Sequence, residues 1–158
     1  LSFNALKDSV YSYTSLVMNR IQNDCIQIGN EIHNRLFHPE GNSWLDSNQM
    51  LSLLQSANKA VRDVNPGTKI ITHYAGYEGA ENFYTLVQEL DYDIIGLSFY
   101  LLWRGKSLSE LDNALKRLQQ KFEKDILIAE TAYPFTLGWN DQTNNIVRLD
   151  DQLILPYF

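Results

Sequence analysis

Apolar residues recur at steps of three and four at the start of the chain. Phe3, Leu6, Val10, Tyr13, Val17 and Ile21 make one stripe on a helix running to about residue 23. The pattern then changes: Cys25-Ile26-Gln27-Ile28-Gly29 reads as a short strand that breaks at polar Asn30-Glu31. After a loop holding Pro39, Gly41, Asn42 and Ser43, helical spacing returns at Met50, Leu54, Ala57, Val61 and Val64. Asn65-Pro66-Gly67 ends it, because a residue ahead of proline leaves the helical region. Three more strand-like runs follow, at 69–74, 93–100 and 125–130. They are separated by helical stripes on Phe83, Leu86, Val87 and Leu90, then on Leu111, Leu115, Leu118 and Phe122. Ser107 and Glu110 have the spacing of a capping box ahead of the last of these. Beyond Pro134 the periodicity fades into loop, with one further helix expected between Asn144 and Leu153.

Helices and strands thus alternate, and the strands are near-continuous apolar runs. Such runs are buried on both faces, so the sheet is expected to be parallel with helices packed outside it. An open doubly wound sheet and part of a (β/α)8 barrel both fit. No Gly-rich phosphate turn follows any strand, and Gly76-x-x-Gly79 alone is too weak a signal for one. The polar residues decide between the two. Asn30-Glu31, His73, Tyr100 and Glu130 each close a strand, and barrels draw their active sites from several such carboxyl ends. The expected fold class is α/β, a partial TIM barrel in a single domain over residues 1–158. Four strands are half of the eight that closure requires, and a four-stranded piece leaves two unpaired edges. The chain therefore reads as an excised or processed piece whose missing barrel half is a partner to be supplied from elsewhere.

Composition narrows the chemistry. The 158 residues carry 13 Lys+Arg against 19 Asp+Glu, a net charge of −6. That balance removes the counterion release that drives most nucleic-acid binding, so neither DNA nor RNA is an expected partner. No apolar run approaches the roughly 20 residues of a membrane span. Cys25 is the single cysteine, which excludes an internal disulfide and a cysteine-based zinc site, and it reads as a small buried apolar residue. His33, His38 and His73 have no metal-ligand spacing, so no metal and no cofactor is expected. A Gly-x-Ser-x-Gly nucleophile elbow is absent from the sequence.

Glu31 and Glu130 are then the strongest catalytic candidates, each one step past a hydrophobic strand. A strand-end glutamate is ordinarily an exposed carboxylate or half of an ion pair. Two of them in one barrel mouth suit glycoside hydrolysis, one as nucleophile and the other as acid and then base. Asn30 can bind a sugar hydroxyl, although at a strand end it also suits a turn. Tyr100 can donate to a carboxylate or satisfy a backbone carbonyl, and His73 can orient a carboxylate or sit in the core as a structural histidine. Trp44, Trp103 and Trp139 lie in loops after strands, where indole faces stack on sugars or close a lid over the core. Trp103 and Trp139 are the preferred substrate contacts.

The runs Ile26-Gln-Ile-Gly-Asn-Glu31-Ile, Asp93-Ile-Ile-Gly-Leu-Ser-Phe-Tyr100 and Glu130-Thr-Ala-Tyr-Pro134 resemble glycoside hydrolase family 53, the arabinogalactan endo-β-1,4-galactanases of clan A. The resemblance covers nearly the whole chain. It implies a (β/α)8 barrel, a retaining mechanism and β-1,4-galactan or arabinogalactan, the side chains of pectin, as substrate. The chain would supply barrel strands four to seven. By the same resemblance Glu31 is the acid/base beside its clan-typical Asn30, Glu130 is the nucleophile, and His73 and Tyr100 line the site. It also implies a secreted or cell-envelope location. Leu101 stands where the family usually has proline, and Arg104 where histidine is expected after Trp103. Two other readings stay open: a clan A hydrolase of another β-linked polysaccharide, and an inactive barrel fragment with at most carbohydrate binding.

Overall fold

The structure is a computed structural model that describes residues 2–33, 36–43, 45–100 and 107–132, together with the backbone of 138–140 and 145–147. Four helix-then-strand units follow one another: α1 (Phe3–Arg20) and β1 (Cys25–Gln27), α2 (Ser47–Val64) and β2 (Lys69–Ala75), α3 (Ala80–Leu86) and β3 (Ile94–Phe99), α4 (Leu108–Phe122) and β4 (Asp125–Thr131). The strands pair in parallel in the order β1-β2-β3-β4. This is the arrangement expected of half of a (β/α)8 barrel. Side-chain caps start three helices. Ser2 accepts from the Ala5 N–H, Asp46 from the N–H groups of Asn48 and Gln49, and Ser107 from that of Glu110.

The core lies between the helices and one face of the sheet. Met50, Leu54, Ala57 and Val61 of α2 meet Ile70, Ile95 and Leu97 of the strands, with Phe83, Tyr84, Val87 and Leu118 closing the cluster. Each fully buried Leu or Ile contributes about 2 kcal/mol of hydrophobic stabilisation. Register fixes the opposite face of the sheet. Gln27 pairs with Ile71, two residues before His73, and His73 pairs with Gly96, two residues before Ser98. Paired residues point the same way and alternate along a strand, so Gln27, His73 and Ser98 share the face turned away from the helices.

The α1 stripe is only partly covered: Val10 packs against the core, while Tyr13 is 69% exposed. Leu6, Val10, Tyr13 and Val17 border an apolar groove of about 530 Å³ shared with Ile26, Ile28, Leu36 and Phe37. Two expectations need correcting. Cys25 is exposed rather than buried, because it opens β1 at the edge of the sheet. Residues 145–147 are not helical. β5 (Gly138–Asn140) and β6 (Asn145–Val147) form an antiparallel pair, consistent with the strand preference of adjoining Ile146 and Val147. Among the described residues no helix is long and apolar enough to cross a membrane.

Candidate active site

Two local departures from regular strand geometry bring the polar residues together. The first follows β1. The Ile28 N–H donates to Ile71 O at 3.1 Å, and the next rung on that side is the Ile32 N–H to His73 O, also at 3.1 Å. A regular parallel ladder would reach His73 O from residue 30, so two extra residues loop out here. Gly29 (φ +74°) and Glu31 (φ +46°) both take left-handed backbone to make the excursion. A side chain at Gly29 would stand 2.4 Å from Ile32 Cγ2, so glycine is required there on both counts. The second departure is on β4. Ile128 pairs with Leu97 and Glu130 with Ser98, leaving Ala129 unpaired. Without that bulge Glu130 would share the helix-covered face with Ile126 and Ile128. With it, Glu130 turns to the face that carries His73 and Ser98.

His73 is fully buried and touches both glutamates. The Ser98 hydroxyl donates to Glu31 Oε1 at 2.6 Å and lies 3.0 Å from His73 Nε2. On its other edge, His73 Nδ1 faces Asn30 Oδ1 at 3.0 Å, the Glu31 backbone N–H at 3.3 Å and Glu130 Oε1 at 4.0 Å. Burial pushes the imidazole below its ordinary pKa, with the Glu130 and Glu31 carboxylates pulling the other way, so the ring is neutral at pH 7 and carries one N–H. Ser98, which gives its one proton to Glu31, calls for that N–H on Nε2, whereas Asn30 Oδ1 at 3.0 Å calls for it on Nδ1, so the ring serves one of the two at a time. The Gln27 side-chain NH2 donates to Gly29 O and to Asn30 Oδ1, each at 3.0 Å. The NH2 end of exposed Asn30 is then the end that can reach a ligand. Tyr100 donates its hydroxyl to Glu130 Oε2 at 2.8 Å.

Asn30, Glu31 and Glu130 therefore stand around the His73 imidazole, with Tyr100 bonded to Glu130, although the two glutamates are nearly a hundred positions apart in sequence. Trp103 and Trp44 lie outside the described residues. Trp139 belongs to β5 opposite Ile146 rather than to a loop, and its side chain lies outside the described part. Ser98 and Gln27 are the members that reading the sequence passes over. Alternation carried a signal for Ser98: it is two residues before Tyr100, hence on the same face of an otherwise apolar strand.

Chemically, the arrangement offers one carboxylate held at Oε2 by a phenol and a second held at Oε1 by a serine, with a neutral imidazole between them.

The sequence profile described as glycosyl hydrolase family 53 matches residues 1–157. An arabinogalactan endo-β-1,4-galactanase of Cellvibrio japonicus is 32% identical to the chain, covering 97% of it and 44% of the relative. An endo-β-1,4-galactanase of Bacillus subtilis is 29% identical, covering 99% of the chain and 37% of that protein. Among solved structures, the GH53 catalytic domain of Ignisphaera aggregans superposes with a TM-score of 0.82 at 36% identity, over 89% of this chain and 41% of that one. A structure of fungal β-1,4-galactanases gives a TM-score of 0.79 at 29% identity, over 89% and 47%. The chain spans less than half the length of each of these proteins, and its four parallel units are part of a (β/α)8 barrel. Matched along all but its final residue and sharing the backbone course of solved relatives, the chain belongs to glycosyl hydrolase family 53.

Proposed function

We propose that the protein carrying this chain is a retaining endo-β-1,4-galactanase acting on β-1,4-galactan or arabinogalactan, with this chain as the central part of its catalytic barrel. The observation that carries the reading is the meeting of Glu31 and Glu130 at one buried imidazole, on the same side of the sheet. The names of its relatives supply the substrate class. Glu130 attacks the anomeric carbon while Glu31 protonates the departing glycosidic oxygen, leaving a galactosyl ester on Glu130. Glu31, now ionised, takes a proton from water. That water attacks the anomeric carbon and frees the Glu130 carboxylate with net retention. Tyr100 occupies Glu130 Oε2, which leaves Oε1 as the attacking oxygen. In this reading the Asn30 NH2 donates to the sugar 2-hydroxyl, a bond that strengthens as the ring becomes oxocarbenium-like.

Trp103 and Trp139 complete the proposal as stacking surfaces for galactosyl rings. The apolar groove between α1 and β1 and the open edge of β1 fit the remaining units of the protein's own barrel. A polysaccharide is too large to enter a cell intact, which supports a site of action in the envelope or outside it. The test is reducing-sugar release from galactan, mannan and xylan by the protein as its gene encodes it. Galactan should be the hydrolysed polymer. Glu130→Gln should abolish turnover, and Glu31→Gln should be partly spared on aryl β-galactosides, whose leaving group needs little protonation. Undiminished galactan hydrolysis by Glu130→Gln overturns the assignment.

A further inference from the structure

The hydroxyl of Ser98 occupies a position between two functional groups that nothing in the proposed reaction yet uses. It is buried, with 1% of its surface exposed, and contacts Glu31 Oε1 at 2.6 Å and His73 Nε2 at 3.0 Å. We infer that Ser98 is the positioning residue of the acid/base, a buried hydroxyl beside His73 that fixes Glu31 Oε1 and so turns Oε2 toward the leaving group. This inference rests on the role of Glu31 proposed above.

The geometry gives Ser98 a defined direction. Its one proton goes to Glu31 Oε1, and its second contact is the His73 ring at Nε2. With Oε1 so occupied, the catalytic proton rides on Oε2 and is presented toward the leaving group. Because a hydroxyl both donates and accepts, the contact survives both halves of the cycle. Ser98 donates to Glu31 when the carboxylate acts as base, and still donates to its carbonyl oxygen when Oε2 is protonated. The position is fixed by the fold. Ser98 is held on β3 between β2 and β4, and its neighbours on the same face are His73 and Glu130. The titratable groups facing Glu31 from the described elements are His73 of β2, Tyr100 beyond β3 and Glu130 of β4.

The experiment is kcat and KM for Ser98→Ala, Ser98→Cys and Ser98→Thr in the full-length protein, on galactan and on an aryl β-galactoside. A misplaced acid slows departure of a poor leaving group, so kcat on galactan should fall about 10-fold in the Ala and Cys variants with KM little changed. The aryl β-galactoside, whose leaving group needs little protonation, should lose far less. Cysteine fills the same space with a weak donor, which separates the effect from loss of packing. Ser98→Thr restores the hydroxyl and should return kcat on galactan. Equal losses on both substrates, or no loss on galactan in the Ala and Cys variants, overturn the inference. Full galactan hydrolysis by Glu31→Gln would instead remove the reading beneath it, and with it the role of Ser98.

Discussion

The Tyr100 hydroxyl is hydrogen-bonded to Glu130 Oε2 at 2.8 Å, joining the residue just past β3 to the strand beside it. The same contact raises the phenol above its ordinary pKa: the hydrogen bond to Glu130 is the largest cause, followed by burial and the two carboxylate charges. Tyr100 therefore stays a donor throughout the working pH range. Removing the hydroxyl with Tyr100→Phe keeps the ring and loses one charge-assisted bond, worth about 1.5–3 kcal/mol. In the transition state that is a fall in kcat of roughly 10- to 100-fold. Steady-state kinetics checks this. An unchanged kcat would show that Tyr100 does not hold the nucleophile.

Gly29→Ala tests the loop that carries Asn30 and Glu31. The substitution forces a side chain onto backbone at φ +74° and places its Cβ 2.4 Å from Ile32 Cγ2. Either Ile32, which is fully buried, or the loop must shift. The expected cost is about 1–3 kcal/mol, seen as a lower melting temperature. Activity should fall further than stability explains, since Glu31 is two residues away on the same excursion. A variant with wild-type activity and melting temperature would contradict the requirement for glycine.

How far the sequence discloses this site follows from those two departures. The four strand ends were legible, because apolar runs closed by Glu31, His73, Tyr100 and Glu130 give the parallel sheet and its carboxyl edge at once. The side of the sheet was not legible for Glu130. Ile126, Ile128 and Glu130 alternate perfectly with Leu127 and Ala129, so the sequence places the glutamate with the core residues. Only the unpaired Ala129 turns it the other way. A bulge changes register without changing composition, and no residue type in Ile128-Ala129-Glu130 announces it. Ser98 was overlooked for a different reason. In a buried strand a serine is small enough to pass as filler, and its meaning comes from His73 and Glu31 on other segments. The α1 stripe gave its helix correctly but carried no sign that Leu6, Tyr13 and Val17 border a groove.

Tyr84 ties β2 to β3 from the helix side. Its buried hydroxyl lies 2.7 Å from Thr72 O and 2.8 Å from Gly96 O, and burial raises the phenol well above its ordinary pKa, so it remains a donor. Tyr84→Phe preserves the aromatic packing with Phe83 and Phe122 and deletes only this bridge. A loss of about 1–2 kcal/mol in denaturant unfolding is expected, with galactan turnover retained because the bridge is on the face away from Glu31 and Glu130. Loss of turnover at unchanged stability would place Tyr84 in the site after all.

At the amino ends of β2 and β3, Arg62 holds the sheet by its acidic turn. Its guanidinium donates to both oxygens of Asp91, at 2.8 and 2.9 Å, to Asp93 Oδ2 at 2.7 Å and to Thr68 O at 2.6 Å. Asp93 also accepts the Ile70 N–H at 2.8 Å, which locks the start of β2 to that of β3. The Arg62 hydrogen bonds hold Asp91 below its ordinary pKa. Partial burial pushes Asp93 up, but Arg62 and the Ile70 N–H together bring it below the ordinary value as well. Depressed carboxylates stabilise the folded state fully above their unfolded values near pH 3.9, and that contribution is lost as pH falls through the lower folded values. Arg62→Met keeps the aliphatic stem and removes the donors. It should cost about 1–3 kcal/mol at pH 7, a modest range because Asp91 is 63% exposed and screened by water. Thermal unfolding followed from pH 7 to pH 3 separates this from a packing effect. The gap between the two proteins should hold down to about pH 4 and narrow below it, since acid removes from the wild type what the variant already lacks. A gap that stays constant to pH 3 would mean that Arg62 acts through its stem rather than its charge.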